Sequence, residues 1–397
     1  MPPASARSAH GSQSLGSVIY KHSGGVIPPE VVLQIQDSLL DWYNQNKRDL
    51  PWRDHPDPYA VWISEIMLQQ TTVAAVIPFF TRWMQRFPTV TALAAAPVDE
   101  VLVHWAGLGY YARARNLHKS AGIIAESFSG QLPRSLEELK NLPGIGDYTA
   151  AAIASIAYGA DVPAVDANIT RVVSRLGAIP GDPIRETAAK RAVNELAVRL
   201  VPPGRASEFN QAMMDLGSSL CLSDRTSCPA CPLQHFCAAN RLETPTAFPA
   251  IVRKQKTEGQ RDISVAITDD LGKLLLMQRP ALDPLWGGLW EMPRVSAEAS
   301  ETLEEAARRA VSLVQGLDTG SLMPFGSLKH VVGNRKITLY GYAAVAKTGM
   351  VREEISSVQW TAIKALPDYA LATPQRRLIA QYLATQEQPS LDLGELG

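Results

Sequence analysis

The sequence is short of cysteine, net charge and long apolar runs, and each shortage narrows what the chain can be. Of 397 residues only four are cysteine, and all lie in CLSDRTSCPACPLQHFC, from Cys221 to Cys237. The N-terminus, MPPASARSAHGSQSLGSVIYKHSGG, has no basic stretch leading into an apolar one, so the expected location is the cytoplasm. There thiols stay reduced, and four crowded cysteines point to a bound metal instead of disulfides. Lys and Arg number 38 against 39 Asp and Glu, so a polyanion would be held by local basic patches and not by an overall field. No apolar run reaches the roughly 20 residues of a membrane span, and no membrane association is expected.

What is present is an ordinary globular composition, 46% hydrophobic and 19% charged, in a chain long enough for two or three cores. Residues 1–27 read as a Pro/Ser/Gly-rich disordered leader. From 28 to 240 the pattern is helical. PEVVLQIQDSLLDWYNQN, YAVWISEIMLQQTTVAAVIPFFTRWMQRF and TAAKRAVNELAVRLV carry apolar residues three and four apart, with Pro/Gly breaks such as NLPGIGDY and VPPGR between helices. ETPTAFPAIVRKQKTEGQ reads as a linker over 241–259. The remainder, 260–385, changes character: DISVAITDDLGKLLLMQRP reads as strand, Asp-Leu-Gly turn and strand, TLEEAARRAVSLVQGL as a helix, and KITLYGYAAVAK as a further strand. The fold expected is a mainly α body followed by an α+β domain, with a disordered tail over 386–397.

Several stretches carry chemistry. The cysteines follow a C-x6-C-x2-C-x5-C spacing, which suits a tetrahedral zinc or an iron–sulfur cluster; spacing leaves both open. His235 within that loop reads as a solvated side chain. LPGIGDYTA places Gly144 and Gly146 in a tight turn ahead of an alanine-rich helix. Such a hairpin can grip a DNA backbone through free N–H groups, or be a plain turn between packed helices. Asp166 in VPAVDANITRVVSRL stands where an N-cap belongs, and a carboxylate there is expected to stay ionised, facing a developing cation. Asn168 beside it is either a turn residue or an orienting group. Glu65 in VWISEIMLQQTTV either faces water, as most helical glutamates do, or sits desolvated with a raised pKa as a general acid. Gln69, Gln70, Thr71 and Thr72 form an uncharged hydrogen-bonding cluster able to meet base edges. GLGYYARARNLHKSA sets aromatics beside Arg113, Arg115, His118 and Lys119, a pattern for phosphate contact and stacking or for a solvated basic face.

Taken in order, VWISEIMLQQTTV, GLGYYARARNLHKSA, LPGIGDYTA, VPAVDANITRVVSRL, FNQAMMDLG and the cysteine spacing resemble the endonuclease III-like, helix-hairpin-helix DNA glycosylases, and within them the adenine-excising branch. The resemblance implies a six-helix barrel with an iron–sulfur domain, a 4Fe-4S cluster on Cys221, Cys228, Cys231 and Cys237, and a Nudix-like tail. It implies a monomer acting on double-stranded DNA with adenine opposite 8-oxoguanine or guanine. Tyr148 stands where the endonuclease III branch carries the lysine that forms a Schiff base and cleaves the strand; a tyrosine forms no imine. Hydrolytic excision that leaves an abasic site is therefore expected. Glu65 would be the acid, and Asp166 would stabilise the sugar cation by charge or capture it as a covalent intermediate, with Tyr148 and Asn168 positioning them. Trp52, Arg53 and Gln211 would line the pocket for the flipped adenine. Gln70, Thr71, Leu108 and Tyr110 would fill the gap and touch the opposite base, with Arg225 a candidate phosphate contact.

The tail keeps GGLWEMP from the opening of a Nudix box, but Ala310, Leu313 and Val314 stand where metal-binding glutamates belong. Diphosphate hydrolysis is therefore not expected, and 8-oxoguanine recognition is. One departure concerns that recognition: the family's Phe-Ser-His loop is matched here by Val332, Gly333 and Asn334. The rivals are a thymine- or uracil-excising mismatch glycosylase on the same scaffold, a non-catalytic damage-binding protein, and a nucleotide pyrophosphohydrolase. The tail, the joint presence of Glu65, Tyr148, Asp166 and Asn168, and the missing glutamates speak against them in turn.

Overall fold

The structure is a computed structural model that describes residues 27–53, 57–251, 258–281, 283, 285–348 and 357–387. Residues 1–26 of the expected leader, 252–257 of the expected linker and 388–397 of the expected tail lie outside the described residues. The helical part runs through α1 (Pro29–Asn46), α2 (Pro58–Leu68), α3 (Val73–Arg86), α4 (Val90–Ala95), α5 (Val98–Trp105), α6 (Ala112–Ser127), α7 (Leu136–Lys140), α8 (Asp147–Ile156), α9 (Ala167–Leu176), α10 (Thr187–Leu200), α11 (Ala206–Ser219) and α12 (Ala238–Arg241). The mixed part comprises β1 (Glu258–Thr268), β2 (Leu274–Gln278), β3 (Trp290–Glu291), β4 (Arg294–Ser296), α13 (Leu303–Ser312), β5 (Asp318–Thr319), β6 (Met323–Val332), β7 (Arg335–Thr348), β8 (Val358–Thr361) and α14 (Thr373–Glu387). By contacts the chain divides into two compact units, Met1–Ile66 with Leu132–Arg253 and Met67–Gln131 with Lys254–Gly397.

In the first unit, α11 packs on α1, α8 and α9. The four-residue spacing of Val31, Ile35, Leu39 and Tyr43 on α1 turns one face to Val173 and Leu176 of α9 and Phe209, Met213 and Leu216 of α11, all buried in one core. α7, a tight turn and α8 form the helix-hairpin-helix. Gly144 takes φ +81° there, a conformation that only glycine adopts readily.

In the second unit the aromatics of α3 and α5 interlock edge to face, Trp83 with Phe87 at 5.0 Å and with Trp105 at 5.5 Å between ring centroids. The apolar run over 58–87, which reads as unbroken helix in the sequence, is interrupted. α2 stops at Leu68 and Thr72 caps α3, its hydroxyl accepting from the Ala75 N–H at 3.4 Å. Two adjacent threonines favour capping over helix continuation, which explains the break.

The tail is built on a mixed sheet. β1 runs parallel to β7 from Glu258↔Arg335 to Thr268↔Val345, and β6 joins β7 antiparallel in a hairpin closed by Val332↔Arg335. Strand alternation sends Ile263, Val265 and Ile267 of β1 to the core shared with α13, and Ala266 to the core shared with α14. Covered on both faces, β1 needs the near-continuous apolar run that the sequence has. Ala310 and Val314 lie inside the α13 core, 0% and 3% exposed. The Val332-Gly333-Asn334 stretch is a minimal hairpin turn, with Gly333 at φ +58°.

Candidate active site

Glu65 enters the site from α2, where Trp62, Ile63, Ile66 and Met67 around it are all buried, and it is itself only 6% exposed. Burial lifts its carboxyl to about 7; the Tyr148 hydrogen bond opposes that shift, and the charge of Asp166 adds to it. Tyr148, in the first turn of α8, donates its hydroxyl to Glu65 Oε2. Burial and the two carboxylates push the Tyr148 hydroxyl well above its ordinary range, so it remains a donor.

Asp166 caps α9, as its sequence position requires: Oδ1 accepts from the Ile169 N–H at 2.7 Å and Oδ2 from Asn168 Nδ2 at 2.8 Å. Burial raises the Asp166 pKa, and the bonds from Ile169 and Asn168 only oppose the rise. Glu65 and Asp166 feel each other's charge and are best treated as one titrating pair.

Asn168 is in turn held by Arg171, whose Nη2 donates to Asn168 Oδ1 at 2.8 Å and to the Gly217 carbonyl at 2.6 Å, while Nε donates to the Cys221 carbonyl at 2.8 Å. Glycine at 217 is a packing requirement, since a Cβ there would lie 2.7 Å from Asn168 Cβ.

A second cluster borders this one. Arg53 donates to both carboxylate oxygens of Asp215, at 2.9 and 3.0 Å, and its guanidinium lies over the Tyr43 ring at 5.4 Å. Arg48 donates to the same carboxylate. The Tyr43 hydroxyl reaches Gln211 Oε1 at 3.4 Å, and Trp52 is buried. Arg53 and Gln211, two of the three residues expected in the adenine pocket, are thus joined by Arg48, Tyr43 and Asp215, which the sequence reading did not single out. A signal existed: FNQAMMDLG puts Asp215 one helical turn after Gln211.

Gly146 has an ordinary extended φ of −93°, and a Cβ there would meet no atom of the protein within 4 Å. Neither the backbone nor the packing calls for glycine at this point, and no side chain caps the α8 N-terminus. The open approach suits an external phosphate.

In the second unit Gln70 and Tyr110 are exposed, Thr71 is half-buried and Leu108 is buried. The basic stretch differs from its sequence reading as a phosphate-contacting or solvated face. Arg113 directs its guanidinium to backbone carbonyls, and Arg115 donates to the Gly287 carbonyl.

The four thiols are free of disulfides and gather beside Arg175. Arg175 Nη1 donates to Cys221 Sγ at 3.2 Å, and Cys237 Sγ lies 3.4 Å from the Arg175 carbonyl. Burial, with the neighbouring thiols of Cys221, Cys237 and Cys228, pushes the Cys231 thiol up to about 12. Among the described residues no group of three or more His, Cys, Asp or Glu side chains is arranged to hold a metal ion. A buried guanidinium beside a ring of thiols suits an anionic multi-atom cluster. His235 and Arg225 are exposed.

A hairpin-bearing helical body with a buried carboxylate pair, followed by a Nudix-type sheet, defines a base-excision DNA glycosylase. Residues 63–199 match the model of the HhH-GPD superfamily base excision DNA repair protein, and residues 263–381 that of the NUDIX domain. The adenine DNA glycosylase of Homo sapiens is 35% identical over 91% of this chain and 76% of its own length; that of Rattus norvegicus is 34% identical over 88% and 78%. That of Mycolicibacterium smegmatis is 43% identical over 50% of this chain and 67% of its own. The chain belongs to the adenine DNA glycosylase family, and its activity is the removal of adenine from DNA in base excision repair.

Proposed function

We propose that the enzyme is a monomeric, cytoplasmic, monofunctional glycosylase that flips adenine out from opposite 8-oxoguanine or guanine and hydrolyses its glycosidic bond. The observation that carries this reading is Glu65, buried, raised to about 7 and held by the Tyr148 hydroxyl beside Asp166. Adenine leaves poorly as an anion, so Glu65 gives its proton to N7 as the bond electrons move onto the base. The sugar becomes cationic, and Asp166, oriented by Asn168, stabilises that charge. Water then adds to the sugar carbon and returns its proton to Glu65. Trp52, Arg53 and Gln211, with Arg48 and Asp215, bound the adenine pocket. Gly144 and Gly146 present the α8 N-terminus to a phosphate, and Gln70, Thr71, Leu108 and Tyr110 serve the gap left in the duplex. The helical domain is taken to span 28–240 and the lesion-recognition domain 260–385.

The test is excision from duplexes with adenine opposite 8-oxoguanine, guanine, cytosine or thymine. Breaks only in the adenine strand, and only after alkali, are expected. Nicking without alkali would overturn the monofunctional mechanism, and removal of thymine or uracil instead would overturn the substrate. The ratio of 8-oxoguanine to guanine rates measures what the Val332-Gly333-Asn334 turn retains of lesion preference.

Cys221, Cys228, Cys231 and Cys237 are proposed to hold a 4Fe-4S cluster, which when bound would act as a structural cross-link shaping the loop. The purified protein is expected to be brown and to contain iron and sulfide. A colourless preparation with stoichiometric zinc would sink the assignment.

A further inference from the structure

Two loops of the second unit carry non-glycine residues in the left-handed conformation, Gln70 at φ +56° and Tyr110 at φ +49°. Both side chains are exposed, Tyr110 by 50%. Single residues in this region are strained and persist only where their surroundings over-determine them. Here one guanidinium spans both loops. Arg113 Nη1 donates to the Met67 carbonyl at 3.1 Å and the Gln69 carbonyl at 2.6 Å, on the first loop. Its Nη2 donates to Thr71 Oγ1 at 3.4 Å on that loop, and to the Leu108 and Gly109 carbonyls at 3.2 and 3.1 Å on the second. The fork also lies over the rings of Trp105 and Tyr110, at 5.1 and 5.5 Å. Trp105 Nε1 donates to the Gly109 carbonyl at 3.0 Å, fixing the second loop from below.

We infer that Arg113 is a positioning residue that fixes the spacing of a two-pronged wedge, Gln70 and Tyr110, and so sets how well the enzyme opens a duplex in which the adenine is still paired. The inference rests on the reading that these tips enter the DNA. A planar, rigid fork serves acceptors on both loops at once; a lysine ammonium is a single point charge and cannot. Arg113 touches no reacting atom. Its loss should therefore tax the unstacking step and spare the chemical one.

The experiment compares single-turnover excision by the full-length wild-type protein and Arg113→Lys on two duplexes, adenine opposite guanine and adenine opposite an abasic-site analogue. The second holds the adenine already unpaired. Arg113→Lys should lose about tenfold on the first and less than about threefold on the second, as expected for broken charged hydrogen bonds that serve opening alone. Equal losses on both duplexes, or none on either, would overturn the clamp. If Arg113→Lys does not fold, Arg113→Gln, whose single amide cannot serve the carbonyls of both loops, takes its place under the same criteria. A Gln70→Ala/Tyr110→Ala double variant separates the two levels. If it matches wild type on both duplexes, the tips do not enter DNA and the underlying reading fails. If it loses the paired substrate while Arg113→Lys does not, only the clamp fails.

Discussion

Glu65→Gln is expected to lower single-turnover excision by roughly 10²–10⁴-fold, the range for removing a general acid, while leaving mismatch-duplex affinity near wild type. Glutamine keeps the shape and the acceptor for the Tyr148 hydroxyl but has no proton to give. Near-normal excision would show the acid to be misassigned. The wild-type rate should fall as pH rises through about 7, where Glu65 loses its proton.

Stability should move the same way. The folded state holds this proton more tightly than the unfolded state, so between the ordinary glutamate range and about 7 the folded chain binds more protons. Stability therefore declines as pH rises through that window. The full cost, present above it, is up to about 3 kcal/mol by pKa difference. Glutamine carries no such cost. The Tm of Glu65→Gln relative to wild type should therefore increase between pH 5 and pH 8. A Tm difference that stays flat with pH would mean that Glu65 is not buried as a titrating acid.

Asp166→Asn is the second large effect, roughly 10²–10³-fold in single-turnover rate, the size of a lost electrostatic contact to a developing charge. Folding should suffer little, because asparagine is as good an N-cap as aspartate and can still accept from the Ile169 N–H. The variant also reports on the pairing of the two carboxylates. Asp166 raises the Glu65 pKa, so removing its charge should shift the alkaline limb of the remaining activity to lower pH. An unshifted limb would show the two groups to be uncoupled.

The sequence made some of this legible and hid the rest for identifiable reasons. Asp166 was readable because an aspartate just ahead of an amphipathic helix has a local meaning. Glu65 was ambiguous: whether a helical glutamate is buried depends on what α2 packs against, not on its own neighbours in the chain. Asp215 and its two arginines are separated by more than 160 residues, a distance that no local pattern spans. Arg113 read as a phosphate-contacting or solvated base because composition cannot reveal that its donors are spent on carbonyls. The break at Gln69–Thr72 was hidden by continuous apolar spacing on either side of it. In the tail, the turn after β1, the helix α13 and the strand β7 were all visible, since turn chemistry and periodicity are local.

Ala310 and Val314, buried in the core under α13, also bear on history. At two of the three positions where an active hydrolase would offer carboxylates to a cation, side chains fill the interior here, and only Leu313 is exposed. Restored glutamates at the two buried sites would be charges sealed among alkyl groups, so a path back to diphosphate chemistry would pass through chains that do not fold.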